Sequence, residues 1–376
     1  MLKLELKRIF SKKLNVLAVG LMVILAAVFS GFAATSNRYV DAHGTVSTGM
    51  LATRKLVENK NGYAGALTEA ELTKIVVQYK AVMAQSQEEQ DENYGTLYQP
   101  IDDILNFMIS VLTPDAGYDE TVLDSVTEDS VQDFYTWYRG NMKWMADQYG
   151  KTPEQKDYLE KKYSEIILPL QYESYGAWDT MIMYAETYSI VLAILVGFIC
   201  AGIFADDFQT KADAVFFASK YGRSKAIKNK ILAGVVATTM IYWTGIVLLS
   251  AISFGIMGTS GMHTPYQMSE AYSIYIMTYG QYYALTVACG YIASLLAASL
   301  AMLVAAKMHT ISVAVCIPFF LYCLLPFIGR VLSSYTKVFN LIPTILTNVE
   351  ASVRVPLLYQ IGTCLLYTSP SPRDCS

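Results

Sequence analysis

The sequence predicts an all-α polytopic membrane protein: five apolar spans, with a mostly helical, water-soluble insert between the first and the second. Three observations carry that expectation. The chain has 376 residues, 53% hydrophobic and only 16% charged, whereas an ordinary soluble domain carries about 25% charged residues. The charge is also unevenly spread. Residues 36–178 hold 12 Lys and Arg and 23 Asp and Glu, while the other 233 residues hold 25 charges between them. Finally, apolar runs of membrane-spanning length recur outside that segment. Such a chain is too apolar to be disordered. Its net charge of -4 offers no basic stripe for nucleic acid, so no nucleic-acid partner is expected.

Taken in order, residues 1–13 interleave Leu2, Leu4, Leu6, Ile9 and Phe10 with Lys3, Lys7, Arg8, Lys12 and Lys13. As a helix this is amphipathic, and it reads as a cytoplasmic elbow lying along the membrane surface; a plain basic flank is the alternative. Residues 14–35 form the first span, and residues 181–204, 231–258, 282–306 and 311–329 the next four. Each approaches the roughly 20 apolar residues that cross the hydrocarbon. The apolar run of the first exceeds the 7–15 residues of a signal-peptide core, so it is read as a retained span. None of the five contains Lys or Arg, each of which would cost at least about 2.5 kcal/mol at mid-bilayer. Glu186 is the one acid inside these limits. It reads as a boundary residue near the outer interface, or as a contact on a substrate or proton path.

Orientation follows the basic residues. Lys3, Lys7, Arg8, Lys12 and Lys13 precede span one. Lys211, Lys220, Arg223, Lys225, Lys228 and Lys230 lie between spans two and three, and Lys307 follows span four. Residues 259–281, between spans three and four, have none. An N-terminus in the cytoplasm places all the basic segments inside and the acidic insert outside.

Helix signals dominate the 36–178 insert, which is read as an extracytoplasmic helical domain. Thr68 and Glu71 form a capping box opening a helix toward Gln90. Pro100 suits the first turn of a helix through Leu112. Asp129 or Ser130 can cap a helix over 131–149, stopped by Gly150. Thr152, Pro153 and Gln155 open another, toward Ile167. Phe134, Tyr135, Trp137, Tyr138, Trp144 and Tyr149 share one of these helices, as core or as a contact for ligand or membrane. The insert has no cysteine, and Cys200, Cys289, Cys316 and Cys323 in the spans read as small apolar packing groups.

Catalytic chemistry has little to stand on, and no enzyme activity or metal site is expected on this chain. His43, His263 and His309 fall in separate segments, outside any zinc-protease spacing. Gly150-Lys151-Thr152 imitates the end of a phosphate loop, but Met145 stands where that loop needs glycine. No cofactor is expected on the chain.

The segment from Ile203 to Ile231 reads IFADDFQTKADAVFFASKYGRSKAIKNKI. It resembles the coupling segment of permease subunits of ATP-binding-cassette (ABC) exporters of the type-2 class. In that family an acidic residue closes the second span, then come a Gly-Thr-like turn, an apolar helix, a small-residue turn, an arginine, and a lysine opening the third span. Asp207, Arg223 and Lys230 stand at those positions. Asp207 replaces the usual Glu, and Lys211-Ala212 replaces Gly-Thr. The resemblance implies a cytoplasmic coupling loop, 205–230, within a membrane domain over 179–363. It implies a separate ABC ATPase subunit that carries ATP-Mg, a second permease copy as homo- or heterodimer, a lipid bilayer around the spans, and export across the cytoplasmic membrane of a bacterium. Ala214, Val215, Phe216 and Phe217 give the coupling helix an apolar face that needs a partner, the ATPase or the lipid surface. The alternative reading is a membrane-anchored sensor or peptide-antibiotic immunity protein whose outer domain binds ligand without transport.

Further features fit either reading. Ala293, Ala297, Ala301 and Ala305 form one small stripe on span four, suited to close packing in the same subunit or to a dimer seam. Pro318 and Pro326 are expected to distort span five. Tyr266, Tyr272, Tyr275, Tyr279, Tyr282 and Tyr283 read as an outer interfacial segment. The resemblance places a sixth span after Leu357, where an apolar run begins. From Cys364, however, the sequence resembles translated sequencing-adapter read-through. Residues 364–376 are therefore read as foreign, with a sixth span truncated. Resequencing the encoding DNA past Gly362 is expected to replace that tail with an apolar span; a confirmed stop after Ser376 refutes it.

Overall fold

A computed structural model describes residues 1–114, 117–211, 222–331, 341–354, 358–361 and 364–367. Among the described residues, five helices are long and apolar enough to cross a membrane: Lys13–Ser36, Gly176–Gln209, Ser224–Met257, Tyr279–Met308 and Ile311–Gly329. They make the chain an all-α, multi-pass membrane protein, and are called here the first to fifth membrane helices. Contacts group the chain into two compact units. Unit 1 comprises Met1–Phe32, Met181–Gly255 and Ala284–Val349; unit 2 comprises Ala33–Thr180, Ile256–Tyr283 and the chain from Glu350 onward.

In unit 1 the second helix is the central one. Its apolar window is 72% buried, against 22% for the first helix and 17% for the fifth. Those two present Leu14, Leu17, Leu21, Ile24, Phe319, Phe320 and Phe327 outward, a surface that suits lipid rather than water. Small residues let the central contacts close. Ala293 and Ala297 pack with Ala193 and Tyr322, and Ala301 and Ala305 with Ala201, Ala205 and Ala314. The alanine stripe is thus covered by the chain's own second and fifth helices. A Cβ at Gly197 would stand 2.7 Å from Pro318 Cγ, so only glycine admits that approach. The helix after Pro318 widens into a π-turn over Phe320–Leu324, the expected distortion from a missing N–H. The elbow residues form a separate helix, Leu2–Ser11, ended by extended backbone at Lys12.

Unit 2 is helical around a tyrosine-rich core. Thr68 caps Glu69–Met83, but that helix stops short of Gln90. Ser86 and Glu89 form a capping box of their own and start Gln87–Asn93. The helix expected over 131–149 likewise begins later, at Phe134. Its N-cap is Asp133, without a side-chain bond, so neither Asp129 nor Ser130 caps it; Thr127 and Ser130 instead close a box on the short helix Glu128–Val131. Thr152 caps Pro153–Ser164 by accepting the Gln155 N–H. Among the described residues, three two-stranded antiparallel ladders occur. One pairs Leu358–Ile361 with Cys364–Tyr367.

Two aromatic groups meet in the unit 2 core. Phe134 and Tyr138 pack edge-on against Phe107, with ring centroids 5.8 and 5.7 Å apart, while Trp144 and Tyr149 of the same helix are exposed. Tyr266, Tyr279 and Tyr282 are fully buried, and Tyr279 stacks on Tyr175 at 4.6 Å. These three rings are core residues and not interfacial anchors, because 259–283 folds into the unit instead of lying along a surface.

One buried ionic group ties Met50–Asn61 to Asp102–Leu112. Lys60 Nζ lies 2.6 Å from Asp102 Oδ1 and 2.8 Å from Asp103 Oδ1, and Tyr172 OH donates to Asp103 Oδ2 at 3.0 Å. Burial alone would lower the Lys60 pKa; the two carboxylates overturn that and hold it above its usual value. Burial also pushes Asp102 up to about 6, against the pull of Lys60.

An acid whose folded pKa lies above the unfolded value of about 3.9 binds extra protons when folded. Its contribution to stability therefore falls as pH rises from about 4 to about 6. Asp102→Asn is expected to remove that slope, worth about 2 kcal/mol for a side chain still 26% exposed. Thermal unfolding of the wild type and the variant between pH 4 and 7 measures it; identical slopes contradict the assignment.

Candidate functional site

The candidate site forms where the second membrane helix ends and the third begins. Asp206 and Asp207 lie in the last turn of Gly176–Gln209, and Lys230 in the first turn of the regular helix Ile227–Met257. Both placements oppose the helix macrodipole, which favours cations at a C-terminus and anions at an N-terminus. Neither charge is there to stabilise its own helix. Each is compensated across the gap between helices.

Asp207 is the centre of the group. Its Oδ1 accepts from Arg8 Nη2 at 2.6 Å, and its Oδ2 accepts a short bond from Lys230 Nζ. Lys230 also donates to the Ile203 carbonyl at 3.1 Å, and its ammonium lies 5.7 Å from the centre of the Phe204 ring. The Lys230 side chain is 1% exposed and that of Asp207 13%. Alongside, Lys12 Nζ pairs with Asp206 and lies 3.4 Å from the Gly202 carbonyl. The Leu2–Ser11 helix is therefore tied by Arg8, and the link after it by Lys12, to the end of the second helix. A ring stack of Phe208 on His309, 3.8 Å between centroids, joins the same end to the chain that follows the fourth helix.

The sequence-derived residues divide accordingly. Asp207 and Lys230 are brought into direct contact. Phe216 and Phe217 lie outside the described residues, as does the Arg223 side chain; the Arg223 backbone lies in the π-turn Gly222–Ala226. Ala293, Ala297, Ala301 and Ala305 are buried inside unit 1. Glu186 is apart from this group, on the second helix, where its Oε1 accepts the Val349 N–H at 2.8 Å. It thereby holds the turn that follows the short helix Pro343–Thr347. Arg8, Lys12 and Asp206 were not singled out from the sequence. The available signal was the basic N-terminal segment together with the paired acids at 206 and 207.

No side chain here is placed as a nucleophile with a base. Among the described residues no group of three or more His, Cys, Asp or Glu could hold a metal ion. What the arrangement can do is mechanical: it locks the elbow and two helix ends into one electrostatic joint. Comparison of the chain with protein-family models, with curated proteins and with solved structures gave no match.

Asp207→Ala is expected to leave the Lys230 ammonium buried without a counter-charge, at a cost of about 3–5 kcal/mol. Replacing the pair together, as Asp207→Leu with Lys230→Met, is expected to recover most of that. Thermal unfolding in detergent distinguishes the two; a double variant as unstable as the single one rejects the pairing as the cause.

Proposed function

We propose that the chain is the membrane-spanning permease subunit of an ABC exporter of the type-2 class, moving a substrate across the bacterial cytoplasmic membrane on ATP hydrolysed by a separate subunit. The observation that carries the reading is the Asp207–Lys230 pair. The two residues that the motif sets at opposite ends of a coupling loop are in contact, and Arg8 of the elbow joins them. A loop closed at its base by a buried ion pair transmits a push as a rigid body, whereas an unpaired loop would absorb it. The five apolar helices and the basic residues on alternate connections support the same reading.

In it the N-terminus and loop 205–230 face the cytoplasm, residues 36–178 lie outside, and a sixth span follows the fifth. The partners are an ABC ATPase that binds ATP-Mg, a second permease copy and the bilayer; the chain itself has no catalytic role. Closure of the ATPase dimer draws two coupling segments together. The ionic joint passes that movement to the second and third helices, whose close contacts with their neighbours carry it across the membrane.

Changing both Phe216 and Phe217 to Asp is expected to abolish co-purification with the partner ABC ATPase subunit, while membrane insertion is unchanged. Co-reconstitution in vesicles tests the rest: the chain should stimulate ATP hydrolysis, and the double variant should not. Co-purification unaffected by the double substitution rejects the docking role. No stimulation by the wild-type chain rejects the exporter reading.

A further inference from the structure

Unit 2 contains a cavity of about 380 Å³ whose wall includes Thr113, Tyr118, Tyr149, Glu270, Tyr272 and Arg354. One side of it is rigid. Tyr272 OH donates to the Val111 carbonyl at 2.6 Å, the Tyr272 carbonyl accepts from Tyr163 OH at 3.1 Å, and the neighbouring Ala271 carbonyl accepts from Tyr138 OH. The Tyr272 ring is held edge-on to Tyr138, 5.7 Å between centroids. Tyr118 and Tyr149, which also line the cavity, are exposed.

Glu270 supplies the charge. Its side chain is 28% exposed, and its Oε1 lies 3.0 Å from Arg354 Nε. Burial raises its pKa, Arg354 lowers it, and Glu350 and Asp179 raise it again. Three carboxylates thus act on this region against one guanidinium. That guanidinium is accessible: Arg354 is 60% exposed, ends the five-residue helix Glu350–Arg354, and keeps a second, longer pairing from Nη1 to Glu350 Oε1 at 3.9 Å. The site therefore already shows what its carboxylate takes, a guanidinium approaching from the cavity, and shows it held by a side chain that solvent can reach.

We propose that this cavity binds an organic cation, an ammonium or guanidinium group on a flexible chain, which displaces Arg354 from Glu270 and lies against the rings of Tyr118, Tyr149 and Tyr272. The size lies within the range of small-molecule sites. A half-buried carboxylate attracts a cation more strongly than one in bulk water, and aromatic faces add attraction for cations at close range. Arg354 is then an internal competitor: it keeps Glu270 paired while the site is empty and gives way when a ligand cation arrives. This inference does not rest on the transport reading and stands or falls separately from it.

The competitor role separates binding from mere structure. The probe is isotope-labelled arginine amide, measured by equilibrium dialysis against the full chain in detergent, with neutral citrulline amide and anionic N-acetylaspartate as unlabelled competitors. Arginine amide is expected to bind saturably and to be displaced by neither competitor. Glu270→Gln should weaken binding about tenfold or more, and Tyr149→Ala about threefold. Arg354→Gln should tighten binding about threefold or more, by freeing the carboxylate, a change in the direction opposite to any loss of fold. The proposal is overturned by absence of saturable binding, by displacement with citrulline amide or N-acetylaspartate, or by an Arg354→Gln variant that binds no more tightly than wild type.

Discussion

Lys230 is an ammonium with almost no access to water, in the first turn of a long apolar helix. A buried cation must be neutralised where it stands, and in unit 1 that falls to Asp207, backed by the Ile203 carbonyl. Asp207 in turn sits at the wrong end of its helix for a carboxylate, so it also needs its partners. This mutual need draws the end of the second membrane helix onto the start of the third, and Arg8 brings in the elbow. Replacing such a pair by apolar side chains of similar volume is commonly neutral for stability. Its retention here therefore points to what it fixes, the registry of three chain segments, more than to what it adds in free energy.

The rest of unit 1 is held by proximity. Lipid is as apolar as leucine, so helices gain little in a bilayer by hiding apolar surface from it, and close contact has to supply the attraction. Alanine and glycine allow that contact at the central helix, where Ala193, Ala201 and Ala205 meet the alanine stripe of the fourth helix and Gly197 meets Pro318. Buried hydroxyls add specific links: Tyr242 OH donates to the Val287 carbonyl at 2.7 Å and Tyr188 OH to the Met22 carbonyl at 2.9 Å. The joint and the packed helices are parts of one unit.

Unit 2 solves a different problem. It is rich in charge, and its residues 36–178 contain no cysteine, so its core uses tyrosines whose rings pack while their hydroxyls reach backbone carbonyls. Tyr138, Tyr163 and Tyr272 each do so within one neighbourhood. Ordered backbone of this kind makes a firm wall, and the cavity beside Glu270 is built on it. The Lys60–Asp102–Asp103 group plays the bracing part elsewhere in the same unit.

The spans, the elbow helix and most caps were legible in the sequence, because each depends on residues close in the chain: about 20 apolar residues in a row, or a hydroxyl three residues before the N–H that it receives. Local signals failed where two of them competed, as when Ser86 and Glu89 ended one helix by starting another, and when Thr127 and Ser130 closed a box on a short helix of their own and left the start of Phe134–Tyr149 without a side-chain cap. The motif marked Asp207 and Lys230 but could not say that they touch. The tyrosines of 259–283 looked interfacial because an exposed and a buried tyrosine read alike, and only their stacking in unit 2 makes three of them core. Likewise the alanine stripe admitted two partners, and its burial against the second and fifth helices was decided by the fold. The sequence by itself thus determined a helical, multi-pass membrane protein with an acidic, charge-rich insert. Which acid neutralises which base, which small face meets which helix, and where a carboxylate and three tyrosines enclose a cavity were decided only by tertiary structure. Those contacts join residues tens to hundreds of positions apart, and burial, which makes each of them necessary, exists only once the chain has folded.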